Sequence, residues 1–194
     1  MNAVFLVALF GTQVALLGQS IFVPVADGSV NSYGVYPSSD VIAGDGLEGD
    51  LQFASFNSTP YTSILLELNP YAEPLFASTL YVFGFDNASG VLSGSDYNAG
   101  TYIGTWTIPL SLGYGQETFF DVTSFVKSAT GSFFGFELRA PGLDEDDFSS
   151  TGQDIFPPPE LIASIPEPPS SSLIGLAASI WAVLEIRSRV KSCA

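Results

Sequence analysis

Few residue types in this chain can do chemistry, and most of them are carboxylates. Its 194 residues hold 20 aspartates and glutamates, five lysines and arginines, one cysteine and no histidine. Without an imidazole there is neither a Ser-His-Asp triad nor a histidine general base. Cys193 stands in the penultimate position, behind three basic residues. From there it cannot staple the body, act as its nucleophile or build a thiolate metal site.

Glycoside hydrolysis needs only two carboxylates. Eighteen acids lie between Asp27 and Glu160, and no spacing singles out a pair, so the expectation is a chain that is not an enzyme. Two groups of acids suit a cation better. Asp40, Asp45, Glu48 and Asp50 lie among Gly44, Gly46 and Gly49, and Asp144-Glu145-Asp146-Asp147 is a continuous run. Flexible oxygen-rich loops favour Ca2+ over transition metals. Neither group follows the EF-hand pattern, and acid runs without ligand periodicity are usually solvated faces. No cofactor is therefore expected, with Ca2+ as the alternative. Aromatic rings are the remaining binding chemistry. Tyr81, Phe83 and Phe85 alternate with Leu80, Val82 and Gly84; such rings either fill a sandwich interior or stack on sugar faces, and core packing is the expectation.

The net charge is −15, and the body contains only Lys127 and Arg139 as cations. A phosphate backbone is repelled by such a surface, which excludes nucleic acid as a partner. The charge is read as a source of solubility.

The elements that must position these residues are short. Apolar residues alternate or form brief runs separated by turn formers, the pattern of strands. Strands are expected at Asp50 to Phe56, Thr62 to Leu68, Thr79 to Phe85, Thr101 to Ile108 and Ser132 to Arg139. In the fourth, Tyr102, Trp106 and Ile108 share one face and Thr101, Thr105 and Thr107 the other. In the fifth, Phe134, Phe136 and Leu138 face inward while Glu137 and Arg139 face water. The stretches Asp86 to Gly90 and Ser93 to Asp96 carry turn chemistry. One short helix is expected at Asp121 to Ala129, capped by Asp121 or Thr123, with Phe125, Val126 and Ala129 inward. The fold class is all-β, two antiparallel sheets packed as a sandwich with one short helix.

Both ends carry targeting features. Val4 to Gly18 is almost wholly apolar and is followed by Gly18-Gln19-Ser20, which suits signal peptidase; residues 1–20 are read as a signal peptide, although Met1-Asn2-Ala3 has no basic residue. Residues 21–164 form the body, roughly 145 residues, enough for one core without disulfides. The last thirty run in a fixed order. Pro166-Glu167-Pro168 interrupts regular structure. Leu173-Ile174-Gly175-Leu176-Ala177-Ala178-Ser179-Ile180-Trp181-Ala182-Val183-Leu184-Glu185-Ile186 follows as a transmembrane helix, short against the ~20 residues of a full span. Arg187, Arg189 and Lys191 then hold the end on the cytoplasmic side.

The tail, residues 165–194, resembles the PEP-CTERM sorting signal of Gram-negative, often biofilm-forming bacteria. That resemblance implies export and processing by the membrane enzyme exosortase after signal peptidase, with Pro166, Glu167 and Pro168 as the recognition motif. It also implies a transient inner-membrane intermediate and delivery to the outer surface or extracellular matrix.

A second resemblance covers residues 25 to 164. Ala26-Asp27-Gly28-Ser29-Val30, Ala77-Ser78-Thr79-Leu80-Tyr81-Val82, Asp121-Val122-Thr123-Ser124-Phe125-Val126, Gly135-Phe136-Glu137-Leu138-Arg139 and Pro159-Glu160-Leu161-Ile162 are similar to jelly-roll domains of the DNRLRE type. Those domains look like carbohydrate-binding modules. The likeness implies two antiparallel sheets, with the short helix crossing one end. The expected function is that of a non-catalytic surface or matrix protein. The alternative is a carbohydrate-binding module, with an exopolysaccharide as partner and calcium as a support.

Overall fold

The computed structural model describes residues 18–36, 40–70, 78–86, 88–109, 111–113, 115–141, 146–152 and 156–166. Residues 1–17 of the expected signal peptide lie outside them, as do residues 167–194, with Glu167, Pro168, the expected transmembrane segment 173–186 and the expected basic end. Among the described residues no helix is long and apolar enough to cross a membrane.

Twelve strands are described: β1 (Gln19–Phe22), β2 (Ala26–Asn31), β3 (Gly34–Tyr36), β4 (Val41–Ala43), β5 (Glu48–Ala54), β6 (Ser63–Leu68), β7 (Ser78–Asp86), β8 (Thr101–Ile108), β9 (Thr118–Asp121), β10 (Phe133–Arg139), β11 (Asp146–Phe148) and β12 (Glu160–Ser164). One helix, α1 (Thr123–Ser128), follows β9. A six-stranded sheet runs β3-β2-β5-β10-β7-β8 and a four-stranded sheet runs β1-β12-β6-β9. Every pairing is antiparallel. The all-β sandwich expected from the alternation is therefore present. It has one addition, a third two-stranded sheet of β4 and β11, where two three-residue segments are too short to read by periodicity.

The core lies between the two large sheets. Leu51 and Phe53 from β5, Leu80 and Val82 from β7, Trp106 and Ile108 from β8, and Phe134, Phe136 and Leu138 from β10 meet Ile64, Leu66, Leu68, Leu161 and Ala163 from the opposite sheet. Each large side chain shut away here contributes roughly 1.5–3 kcal/mol. Helix α1 closes one end. Its Val126 is buried, and its Phe125 ring occupies the space that a Cβ at Gly84 would fill. Asp121 accepts from Thr123 N–H at 2.9 Å, whereas the Thr123 hydroxyl turns to Ile64 on β6 and accepts from its N–H at 2.8 Å.

Two expectations about faces are corrected. Tyr102 leaves the face of Trp106 and Ile108, because the β7–β8 register shifts between Val82 and Phe83: Val82 pairs with Gly104, but Phe83 pairs with Tyr102. The additional residue, Ile103, turns Tyr102 outward, as a bulge does. Glu137 does point away from Phe136, as expected, but it does not meet water: it is completely buried, beneath a segment from the β7–β8 connection.

Candidate functional site

That connection folds back across the outer face of the six-stranded sheet. Register places the outer-facing residues in rows. One row reads Gly28, Asp50, Glu137, Phe83 and Tyr102 across β2, β5, β10, β7 and β8. Residues 88–100 cover the β2–β5–β10 half of this face and leave the β7–β8 half open. Leu92 comes so close to Gly28, and Gly94 to Gly34, that a Cβ at Gly28 or Gly94 would collide.

The covered half is built from acids. Glu48, Asp50 and Gln52 alternate along β5 with Gly49, Leu51 and Phe53 and take the outer side, where they are buried with Glu137 and Asp96. Their oxygens hold the overlying backbone. Glu48 accepts from Asn98 N–H at 2.7 Å, Glu137 from Ala99 N–H at 2.9 Å, and the Gln52 side chain from Gly90 N–H at 2.8 Å. Gln52 also donates to Asp96 at 3.2 Å, whose carboxylate accepts from Ser93 N–H at 2.6 Å. Arg139 donates to Ala99 O at 2.8 Å, is ion-paired with Glu48 at 3.0 Å and bonds to Glu137. Asp50 differs from the rest: it is fully buried, and neither carboxylate oxygen has a hydrogen-bond partner. Burial, then the neighbouring Asp96 and Glu48 charges, push its pKa from 3.8 up to about 8, with the nearby Gln52 amide offsetting part of the rise. Burial likewise raises Glu137 from 4.5 to about 8, against the pull of Arg139 and with further help from Glu48.

The open half is aromatic. Tyr81 and Tyr102 are 39% and 52% exposed. Their ring centroids lie 6.3 Å apart, and Phe83 lies 5.7 Å from Tyr102, both pairs edge-on. The Arg139 guanidinium stacks 3.8 Å above Phe83, joining the aromatic half to the acidic one by a cation–π contact. The Tyr102 hydroxyl and Thr105 Oγ1 share a hydrogen bond of 2.5 Å. Core packing was the sequence expectation for Tyr81, Phe83 and Phe85; the structure reverses it for Tyr81 and Phe83, because Leu80 and Val82 on the same strand take the inner side. Phe85 is buried nonetheless, its ring lying over Gly135.

A second feature is an open groove of about 650 Å3 where β7, β8 and α1 meet, lined by residues that include Asp86, Thr101, Asp121, Ser124 and Phe125. Two carboxylates therefore flank a concave site, yet both have structural duties. Asp86 accepts from Thr130 N–H and Gly131 N–H at 2.8 and 2.7 Å, and Asp121 holds the start of α1.

Of the two acid groups read as solvated loops with Ca2+ as the alternative, the one from Asp40 to Asp50 does not stay together. Glu48 and Asp50 join the outer face, while Asp40 offers its carbonyl to Ser29 Oγ at 3.2 Å and Asp45 sits in a turn at φ 48°. Asp146 and Asp147 belong to β11; residues 144–145 lie outside the described residues. Among the described residues no three metal-ligating side chains are placed to share an ion. Of the expected sorting motif, Pro166 is described and exposed. The Glu48–Asp50–Asp96–Glu137 cluster was missed from sequence. Its one local signal is the polar alternation of Glu48, Asp50 and Gln52 on a strand whose other side is core.

No model of a known protein family matches the chain, and no curated protein matches it.

Proposed function

We propose that this chain is an exported, non-catalytic surface or matrix protein, a jelly-roll sandwich carried between a signal peptide and a PEP-CTERM-like tail that exosortase processes. The observation that carries this reading is how the fold ends. Strand β1 begins at Gln19 and β12 stops at Ser164, paired with each other, and Ile165 N–H donates to Gly18 O at 2.7 Å. The packed domain thus takes in residues 18–20, the last three of the expected signal peptide, and ends just before Pro166, which is exposed where the expected tail starts. Replacing Pro166, Glu167 and Pro168 by alanine tests the reading: the altered protein accumulates in the inner-membrane fraction, whereas release equal to wild type contradicts it.

Carbohydrate binding is the second reading, favoured by the outward-facing Tyr81, Phe83 and Tyr102. Aromatic rings with hydroxyl edges take up the apolar faces and polar rims of sugars, and the acidic body favours a neutral exopolysaccharide over an anionic one. Retardation in a gel containing such a polymer, lost on Tyr102→Ala, supports it. Equal mobility with and without polymer contradicts it.

A further inference from the structure

We propose that residues 88–100 form a proton-held strap: with Asp50 neutral beneath it the strap stays seated on the outer face of β2, β5 and β10, and ionisation of Asp50 releases it.

The geometry behind this is an imbalance of charge in a closed space. Four carboxyls, those of Glu48, Asp50, Asp96 and Glu137, are buried together, and Arg139, the cation among them, is already shared by Glu48 and Glu137. The charged and polar groups around Asp50 come from β5, β10 and the strap. Strand β5 brings Glu48 and Gln52 beside Asp50, β10 brings Glu137 and Arg139, and the strap brings Asp96. Strand β2 places Gly28 opposite Asp50 and adds no charge there. Neither Asp50 oxygen has a hydrogen-bond partner, and the Gln52 amide beside it is given to Asp96, so as a neutral carboxyl Asp50 is tolerated and as an anion it is stranded.

The strain is relieved most cheaply on the strap side. Beneath the acids, Leu51, Phe53 and Phe136 belong to the central core, and the ladders of β5 with β2 and β10 do not run through the strap. The strap itself is tied down by the side-chain oxygens of Gln52, Glu48 and Glu137 to Gly90, Asn98 and Ala99 and by Arg139 to Ala99 O, while its apolar contacts include only small patches such as Leu92 on Gly28 and Gly90 on the Phe133 ring. Segments held by few apolar contacts are those that open locally. Opening admits water to Asp50 and uncovers carboxyls in line with Phe83 and Tyr102, extending the open face across the sheet.

The test is hydrogen exchange on the full chain, corrected for intrinsic rates, between pH 6 and pH 9. Protection across 88–100 falls at least about tenfold, the equivalent of one unit of titration, while protection of Phe133–Arg139 holds. In Asp50→Asn the strap's loss shrinks to less than about twofold. Equal protection at both pH values, or an Asn variant that loses protection as wild type does, overturns the proposal. Recovery of protection at pH 9 on adding Ca2+ also overturns it, by assigning the seat to a cation. If the Asn variant does not fold, carboxyl-carbon NMR of the unaltered chain decides: an Asp50 midpoint near 8 is expected, and one in the ordinary carboxylate range contradicts it.

Discussion

Asp50 and Glu137 stand directly opposite each other on β5 and β10, both fully shut off from solvent, and Arg139 bonds to Glu137 and pairs with Glu48 but leaves Asp50 unpartnered. This asymmetry makes the fold sensitive to base rather than to acid.

The sign follows from linkage. Asp50 and Glu137 hold their protons to about pH 8 in the folded chain, whereas the unfolded chain releases them near pH 4. Their contribution to stability is fully present below about pH 4 and is lost as pH rises to about 8. Burial also raises Asp27, Glu67 and Glu160, which adds in the same direction. Thermal melts at pH 5, 7 and 9 therefore show a midpoint falling by at least about 5 °C across the series, with a shallower fall in Asp50→Asn. A midpoint that climbs with pH contradicts this.

Gly135 is needed for a close approach. A Cβ there would run into the Phe85 ring from β7, so Gly135→Ala loses about 1–3 kcal/mol by overpacking. Chemical denaturation measures it. Combining the change with Phe85→Ala recovers part of the loss if the two groups meet, and simple addition of the two costs shows that they do not.

Phe136 lies where β5, β7 and β10 meet the opposite sheet, buried and edge-on to Phe53, Phe125 and Phe134. Phe136→Ala costs about 3–5 kcal/mol. Tyr33, 97% exposed in the β2–β3 turn, serves as the contrast, and Tyr33→Ala changes stability by less than about 0.5 kcal/mol. Similar losses in the two variants are incompatible with the core as described.

Sugar affinity, if the open aromatic half supplies it, drops about tenfold or more in Tyr81→Ala and in Tyr102→Ala, the scale of losing about 1.4 kcal/mol of ring contact. Isothermal titration with the neutral polymer reads this. An effect of Phe136→Ala alone, with both tyrosine variants unchanged, assigns the loss to unfolding instead.

Local chemistry carried much of the fold. Strand β8 runs from Thr101 to Ile108 as its β-branched and aromatic residues predict, stopped by Pro109, and β10 keeps Phe134, Phe136 and Leu138 inward. Alternation failed at Tyr102, because a bulge depends on how two strands pair and leaves no trace in either strand alone. Glu137 was expected on a solvated face; what buries it is Ala99, 38 residues away. The same non-local contact hid the acid cluster. Glu48 and Asp50 were grouped with Asp40 and Asp45 by nearness in sequence, and the strand begins between them.

The most direct test of the export and sorting account is intact-mass analysis of the protein from the envelope and medium of its native host, beside a host lacking the sorting enzyme. The account predicts that the residues following the Pro166-Glu167-Pro168 motif are lost only when that enzyme is present. A full C-terminus retained in the inner membrane of both hosts contradicts it and makes the chain an anchored domain.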